Sequence, residues 1–247
     1  MKADPFAQLK LLDLQELDSR ADQLRHRRTS MPELAELGQL ERDRKDIDDQ
    51  RRDAQIEVDD LSAAQAKVDA DVEQVKARRT RDQQRMDAGL VTNPKDLQRM
   101  QHEMESLLRR ISSLEDDELE VMEQLEQAQS QLDGLTGQVA AADERLGELA
   151  AARDEKLVTI GQQETDVAAE RAPTIDGMPA DLLALYERLR AAKGGVGAAA
   201  LRARQCGGCM LSLDNAELGV IRVAATDDVI RCEECQRILV RTSESGL

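Results

Sequence analysis

The chain has 247 residues, with Phe6 and Tyr186 its only aromatics and no Trp, and 34% of its residues are charged, for a formal net charge of −16. With so few aromatics, the apolar share is mostly Ala, Leu and Val. Such a composition argues against a sandwich, a barrel or a doubly wound sheet and matches long helices and coiled coils.

The first ten residues lack an apolar run behind a basic segment, so no signal peptide is expected. Nowhere do ~18 apolar residues run together, so no membrane span is expected either. A soluble, cytoplasmic protein is the expectation. Four cysteines in that setting point to ligands or redox groups rather than disulfides.

A first apolar series, Leu14, Leu17, Ala21, Leu24 and Met31, ends at Pro32. A heptad seam then runs through Leu37, Leu40, Arg44, Ile47, Arg51, Ala54, Val58, Leu61, Gln65, Val68, Val72 and Val75, nine of the twelve being apolar. The next seam is cleaner: from Leu97 to Leu149, fifteen of sixteen positions are apolar, with Glu118 the exception. Alternating steps of three and four over this length signal a coiled coil. At Arg44, Arg51 and Gln65 the expectation is long stems lying along the seam with their heads in water or on an acid of the other arm. The alternative is a stretch loosened for a third helix or a partner.

Gly89, Asn93 and Pro94 separate the two seams, with Asn93 placed to cap a helix and Pro94 to open it. Residues 6–86 and 95–171 give arms of nearly equal length, which favours an antiparallel hairpin over a parallel dimer of single helices. At ~1.5 Å per residue each arm would reach roughly 115–120 Å. Pro32 is expected to kink or break the first arm. The expected organisation is a hairpin over 1–172 with its turn near 87–95 and a break near Pro32, a linker and short helix over 173–195, and a ribbon over 196–247. The fold class expected is mainly α, with a long antiparallel coiled-coil hairpin and a small C-terminal β ribbon.

Cys206 and Cys209 form one C-x2-C pair and Cys232 and Cys235 a second. Each pair can form a tight knuckle that turns two thiolates to one side of a metal, and two knuckles complete a tetrahedron. One structural Zn2+ is expected, with all four positions filled by protein and hence no catalytic role. A thioredoxin-like redox pair would need a βαβ unit that the pattern lacks. Iron–sulfur ligation fits the spacing but is less common for two such knuckles. Arg204, Arg231 and Arg237 stand where they could offset the thiolate charge. Ala198 to Arg204, Asp228 to Arg231 and Arg237 to Arg241 read as strands, and Asp214 to Ile221 as a helical turn capped by Asp214.

These motifs together resemble the bacterial C4-type zinc-ribbon and coiled-coil hairpin family, which includes a flagellar-gene regulator and a type III secretion-associated protein. The resemblance is carried by Val91-Thr92-Asn93-Pro94-Lys95-Asp96-Leu97, by Leu185-Tyr186-Glu187-Arg188-Leu189-Arg190, by the two Cys pairs and by Arg237-Ile238-Leu239. It implies a helical hairpin joined to a zinc ribbon, with roles that differ between members: binding of RNA or DNA, or of a sigma factor or secretion components. Gln236 stands where the family often has Gly, which alters the second knuckle slightly and leaves its ligands intact.

Charge is unevenly spread. Residues 1–74 are net −7, residues 75–111 net +4 and residues 112–170 net −13. The turn therefore carries a basic tip, with Lys76, Arg78, Arg79, Arg81, Arg85, Lys95 and Arg99 as candidate contacts to nucleic acid or to an acidic partner, and Arg109 and Arg110 nearby. The plainer expectation is that these cations balance facing acids. No aromatics are available there to stack bases. His26 and His102 read as solvated surface residues, and no phosphate loop, dinucleotide fingerprint or nucleophile elbow occurs. The sequence thus predicts no enzyme, no small-molecule substrate and no membrane contact. A protein-recruiting adaptor comes first, and a nucleic-acid-binding regulator is the alternative.

Overall fold

A computed structural model describes residues 1–247. The helices come first: α1 (Pro5–Thr29), α2 (Pro32–Asp87), α3 (Pro94–Ile175) and α4 (Ala180–Ala192). The ribbon follows, with β1 (Ala198–Arg202), β2 (Gln205–Cys206), α5 (Asn215–Val223), β3 (Ile230–Arg231) and β4 (Ile238–Val240). Two compact units result, one of Ala35–Ala150 and the other of Met1–Leu34 with Ala151–Leu247. No helix is long and apolar enough to cross a membrane.

Local signals set the helix ends. The Asp4 carboxylate accepts from the Phe6 N–H at 2.8 Å, and Pro5 occupies the first helical position. α1 stops at Thr29, where the Ser30 N–H returns to His26 O, and α2 starts afresh at Pro32. At the turn Gly89 adopts φ +65°, and the Asn93 side chain caps α3 by accepting from the Lys95 N–H at 3.0 Å. α3 continues through Pro173 to Ile175, two residues beyond the linker start expected from that proline. In the last turn a missing N–H orphans only one carbonyl, so Pro173 ends the helix late rather than breaking it.

In the Ala35–Ala150 unit, α2 and α3 run antiparallel. Ala54 and Val58 pack with Ala128, Leu132 and Leu135 in one cluster of the seam. Arg44 behaves as its position suggests, reaching across to Asp143 at 2.9 Å, while Arg51 stays on its own helix and meets Asp48 at 2.9 Å. The hydrogen bond from Arg44 holds the Asp143 carboxyl below its ordinary range, and that from Arg51 does the same for Asp48. Both shifts are downward, so the stability they contribute is full above the unfolded value of about 4 and fades as pH falls through the lower folded values. The hairpin's thermal midpoint should therefore hold from neutral pH to about 5 and drop below 4, as a circular-dichroism melt at each pH would show.

In the other unit the sheet order is β2-β1-β4-β3, with β1 parallel to β4 and antiparallel to β2, and β3 antiparallel to β4. Alternation along the two central strands sends side chains to two separate cores. Ala198, Ile238 and Val240 join Leu11, Leu14, Leu182 and Tyr186, from α1 and α4. Ala199, Leu201 and Leu239 instead join Cys206, Cys232, Leu218 and Ile221. The sheet is thus buried on both faces, by helices on one and by the cysteine knuckles and α5 on the other. The first residues of the chain extend it: Ala3 N–H donates to Asp227 O at 2.8 Å and Val229 N–H to Met1 O at 3.0 Å.

Gly197 enters β1 against the backbone of α4. A Cβ there would lie 2.6 Å from Tyr186 O, which is rigid helix backbone. Gly197→Ala should cost about 1–3 kcal/mol in denaturant unfolding, as overpacking at a site that cannot yield does.

Candidate metal centre and the basic tip

The two knuckles are built alike. In the first, the Met210 N–H donates to Cys206 O at 2.8 Å and the Cys206 N–H to Leu211 O at 2.9 Å. In the second, the Gln236 N–H donates to Cys232 O at 2.9 Å and the Cys232 N–H to Arg237 O at 3.1 Å. Both turns need a left-handed residue just after the second cysteine, and Met210 (φ 64°) and Gln236 (φ 62°) supply it. That requirement explains why Gly suits position 236. Around the first knuckle the chain packs closely: a Cβ at Gly207 would lie 3.0 Å from Ala200 O, and one at Gly208 2.8 Å from the Arg237 side chain.

The four sulfurs lie within 4.8 Å of one another, with Cys206 to Cys235 and Cys209 to Cys232 each 3.9 Å apart. A tetrahedron with Zn–S bonds of about 2.3 Å has edges of about 3.8 Å, so the cage fits the ion. Cys206 and Cys232 are buried and Cys209 and Cys235 half-buried. Burial pushes the Cys232 thiol up to about 12. At Cys235 burial also acts upward, but hydrogen bonds from the Arg237 backbone and side chain, and from Cys232 and Cys209, outweigh it and bring the thiol to about 7. A set that costs this much to bury as thiolates is one a dication resolves, releasing protons as it binds. Four protein ligands leave no open position, so a zinc held here is structural.

The three arginines singled out in the sequence mainly do something else. Arg237 donates to Val196 O, Gly208 O and Lys193 O at 2.9, 3.1 and 2.8 Å, tying the first knuckle to the approach from α4. Arg204 and Arg231 donate to Gly246 O and Gln236 O. Their guanidinium groups are taken up by backbone carbonyls.

Sequence reasoning missed the polar cluster that joins the ribbon to the helices. The Asp18 carboxylate, only 4% exposed, accepts from Arg171 Nε at 2.8 Å and from the Tyr186 hydroxyl at 2.7 Å. Arg190 Nε lies 3.5 Å away, an ion contact without hydrogen-bond geometry, while its Nη2 donates to Asp22 at 2.6 Å. Burial and then the Asp18 bond push the Tyr186 hydroxyl far above its ordinary range, so it stays a donor. Beside it, Gln15 accepts from the Gly197 N–H at 2.7 Å and donates to Gly195 O at 2.8 Å. The signal available was Tyr186 itself: a buried Tyr needs a partner for its hydroxyl.

At the turn, most of the candidate cations have acids. Lys76 meets Glu115 at 2.7 Å, Arg78 pairs with Glu103, Arg85 lies 3.9 Å from Asp82, and Arg99 lies 3.7 Å from Asp96. Arg79, Arg81 and Lys95 are exposed and make no such pair.

Residues 14–194 match the family described as the CT398-like coiled coil hairpin domain. The chain belongs to that family. Residues 205–239 match the C4-type zinc ribbon domain, so the ribbon and its four cysteines fall within a second recognised module. Neither is a catalytic family. An uncharacterized Mycobacterium tuberculosis protein, Rv2229c, is 35% identical over 248 residues, which cover 98% of each chain. A solved structure of a Mycobacterium smegmatis protein is similar at TM-score 0.84 and 35% identity, covering 98% of this chain and 100% of that one. CT398 of Chlamydia trachomatis shares the fold at TM-score 0.69 and 19% identity, over 96% of this chain and 98% of its own.

Proposed function

We propose that the protein is a non-catalytic, cytoplasmic adaptor, in which the coiled-coil hairpin and the zinc ribbon recruit protein partners. One observation carries this reading. The ribbon's chemistry is used up in holding its own fold, yet it presents Met210, Leu211, Val220 and Val223 to solvent at 50–83% exposure. Exposed apolar residues beside a rigid, metal-built scaffold suit protein contact. The alternative, a nucleic-acid-binding regulator, is favoured by Arg79, Arg81 and Lys95, the tip cations without acids. Lys76, Arg78, Arg85 and Arg99 would have to leave their acids first.

Affinity capture of the tagged chain from its own lysate, with and without nuclease, separates the two. The adaptor reading expects protein partners that persist after nuclease. Partners lost on nuclease treatment, together with nucleic acid whose binding weakens steeply with salt and less steeply once Arg78, Arg79 and Arg81 are replaced, would overturn it.

A further inference from the structure

The seam between α2 and α3 is not closed to the same degree along its length. Val58 and Ala128 are buried on one side of a middle stretch, and Val72 and Leu114 on the other. Between them Leu61, Gln65 and Val68 on α2, and Glu118, Val121 and Leu125 on α3, are all only half-buried. Gln65 and Glu118 are polar residues at seam positions, and such residues resist full burial without a partner. One turn from Gln65, Asp69 Oδ1 is enclosed without a hydrogen-bond partner.

The outer face of the same stretch is apolar and acidic at once. Leu119 is 59% exposed and Met122 44%. They line a groove of about 620 Å³ with Gln65, Leu125 and the carboxylates of Glu123, Glu126 and Asp133, and no Lys or Arg contributes to it. Lys76 is engaged with Glu115 at 2.7 Å, and the three groove carboxylates have no cation of their own. Solvated carboxylates are ordinary on a helix surface, but here they ring an exposed Leu and Met. A third helix has a use for both.

We infer that this stretch is a docking groove for a cationic amphipathic helix of another protein. Its apolar stripe packs over Leu119, Met122 and Leu125, and its lysines or arginines meet Glu123, Glu126 and Asp133. A second copy offering the same stretch would set carboxylates against carboxylates, so the occupant is a different chain. The inference rests on the adaptor reading and gives it a surface of stated chemistry.

The test places a photo-crosslinking residue at Leu119 of the full chain, with Val158, 75% exposed, as the control position. The expected adduct at 119 exceeds that at 158 by about tenfold. Its sequenced partner segment is rich in Lys and Arg, with apolar residues every three or four positions. A Leu119→Ser, Met122→Ser variant that keeps its helical signal should lose that partner by about the same factor. An adduct with a second copy of this chain, a partner segment that is acidic or uncharged, or no excess over Val158 would each overturn the proposal. If wild-type chain still recovers nuclease-resistant protein partners in that case, the groove fails and the adaptor reading stands.

Discussion

A Cys232→Ser chain should retain its long helices and lose its ribbon. Structural zinc contributes about 10–16 kcal/mol to small folds built around it, far more than a sheet of two- to five-residue strands supplies. Leu201, Leu239, Leu218 and Ile221 pack directly against Cys206 and Cys232, so losing the ion opens that whole core. Far-ultraviolet dichroism should change little, because the helices dominate it, while limited proteolysis should begin cutting within 196–247. The Ala35–Ala150 unit contains none of the ribbon and should melt as before. A ribbon that stays protease-resistant in the variant would mean the apolar core alone suffices.

The second large effect is expected at Asp18. Asp18→Ala leaves Arg171, Arg190 and the Tyr186 hydroxyl facing a gap between α1, α3 and α4. Removing one partner of a buried ion pair costs about 3–5 kcal/mol when the other charge is left uncompensated. Because Arg171 keeps Glu187 and Arg190 keeps Asp22, the loss here should fall at the low end, about 3 kcal/mol. Tyr186→Phe removes a single hydrogen bond to a charged acceptor and should cost about 1.5–3 kcal/mol. Denaturant unfolding of the two variants reads both numbers. Equal losses would show that Glu187 and Asp22, which already pair with Arg171 and Arg190, suffice for the arginines, and that Asp18 acts only through the tyrosine.

What was legible follows from how each feature is encoded. The hairpin is written in a repeat over many heptads, and its turn in Asn93-Pro94, so periodicity and capping chemistry reach it directly. The metal cage is written in four residues at fixed spacing, and the capped α5 in Asp214, whose carboxylate accepts from the Glu217 N–H at 2.8 Å. Asp18 is different. It is one acid among 50, on a helix whose Asp13 and Glu16 are exposed, and only three-dimensional packing sets it apart. The parallel pairing of β1 with β4 and the addition of residues 1–3 to the sheet join segments far apart in the chain, which no local pattern encodes. At the tip, charge counting found the cations but not their partners, since Lys76 and Glu115 meet only once the helices pair. The left-handed backbone at Met210 and Gln236 carries no glycine to announce it.

The zinc ribbon is the part of the chain whose fold rests on a metal, with its sheet packed between α1 and α4 on one face and the cysteine cage on the other. Native mass spectrometry of chain purified without chelator tests it most directly, by weighing the metal on each molecule. The account predicts one zinc per chain, bound with loss of thiol protons and held by Cys206, Cys209, Cys232 and Cys235. A chain that is folded yet carries no metal, or carries iron in place of zinc, would contradict it.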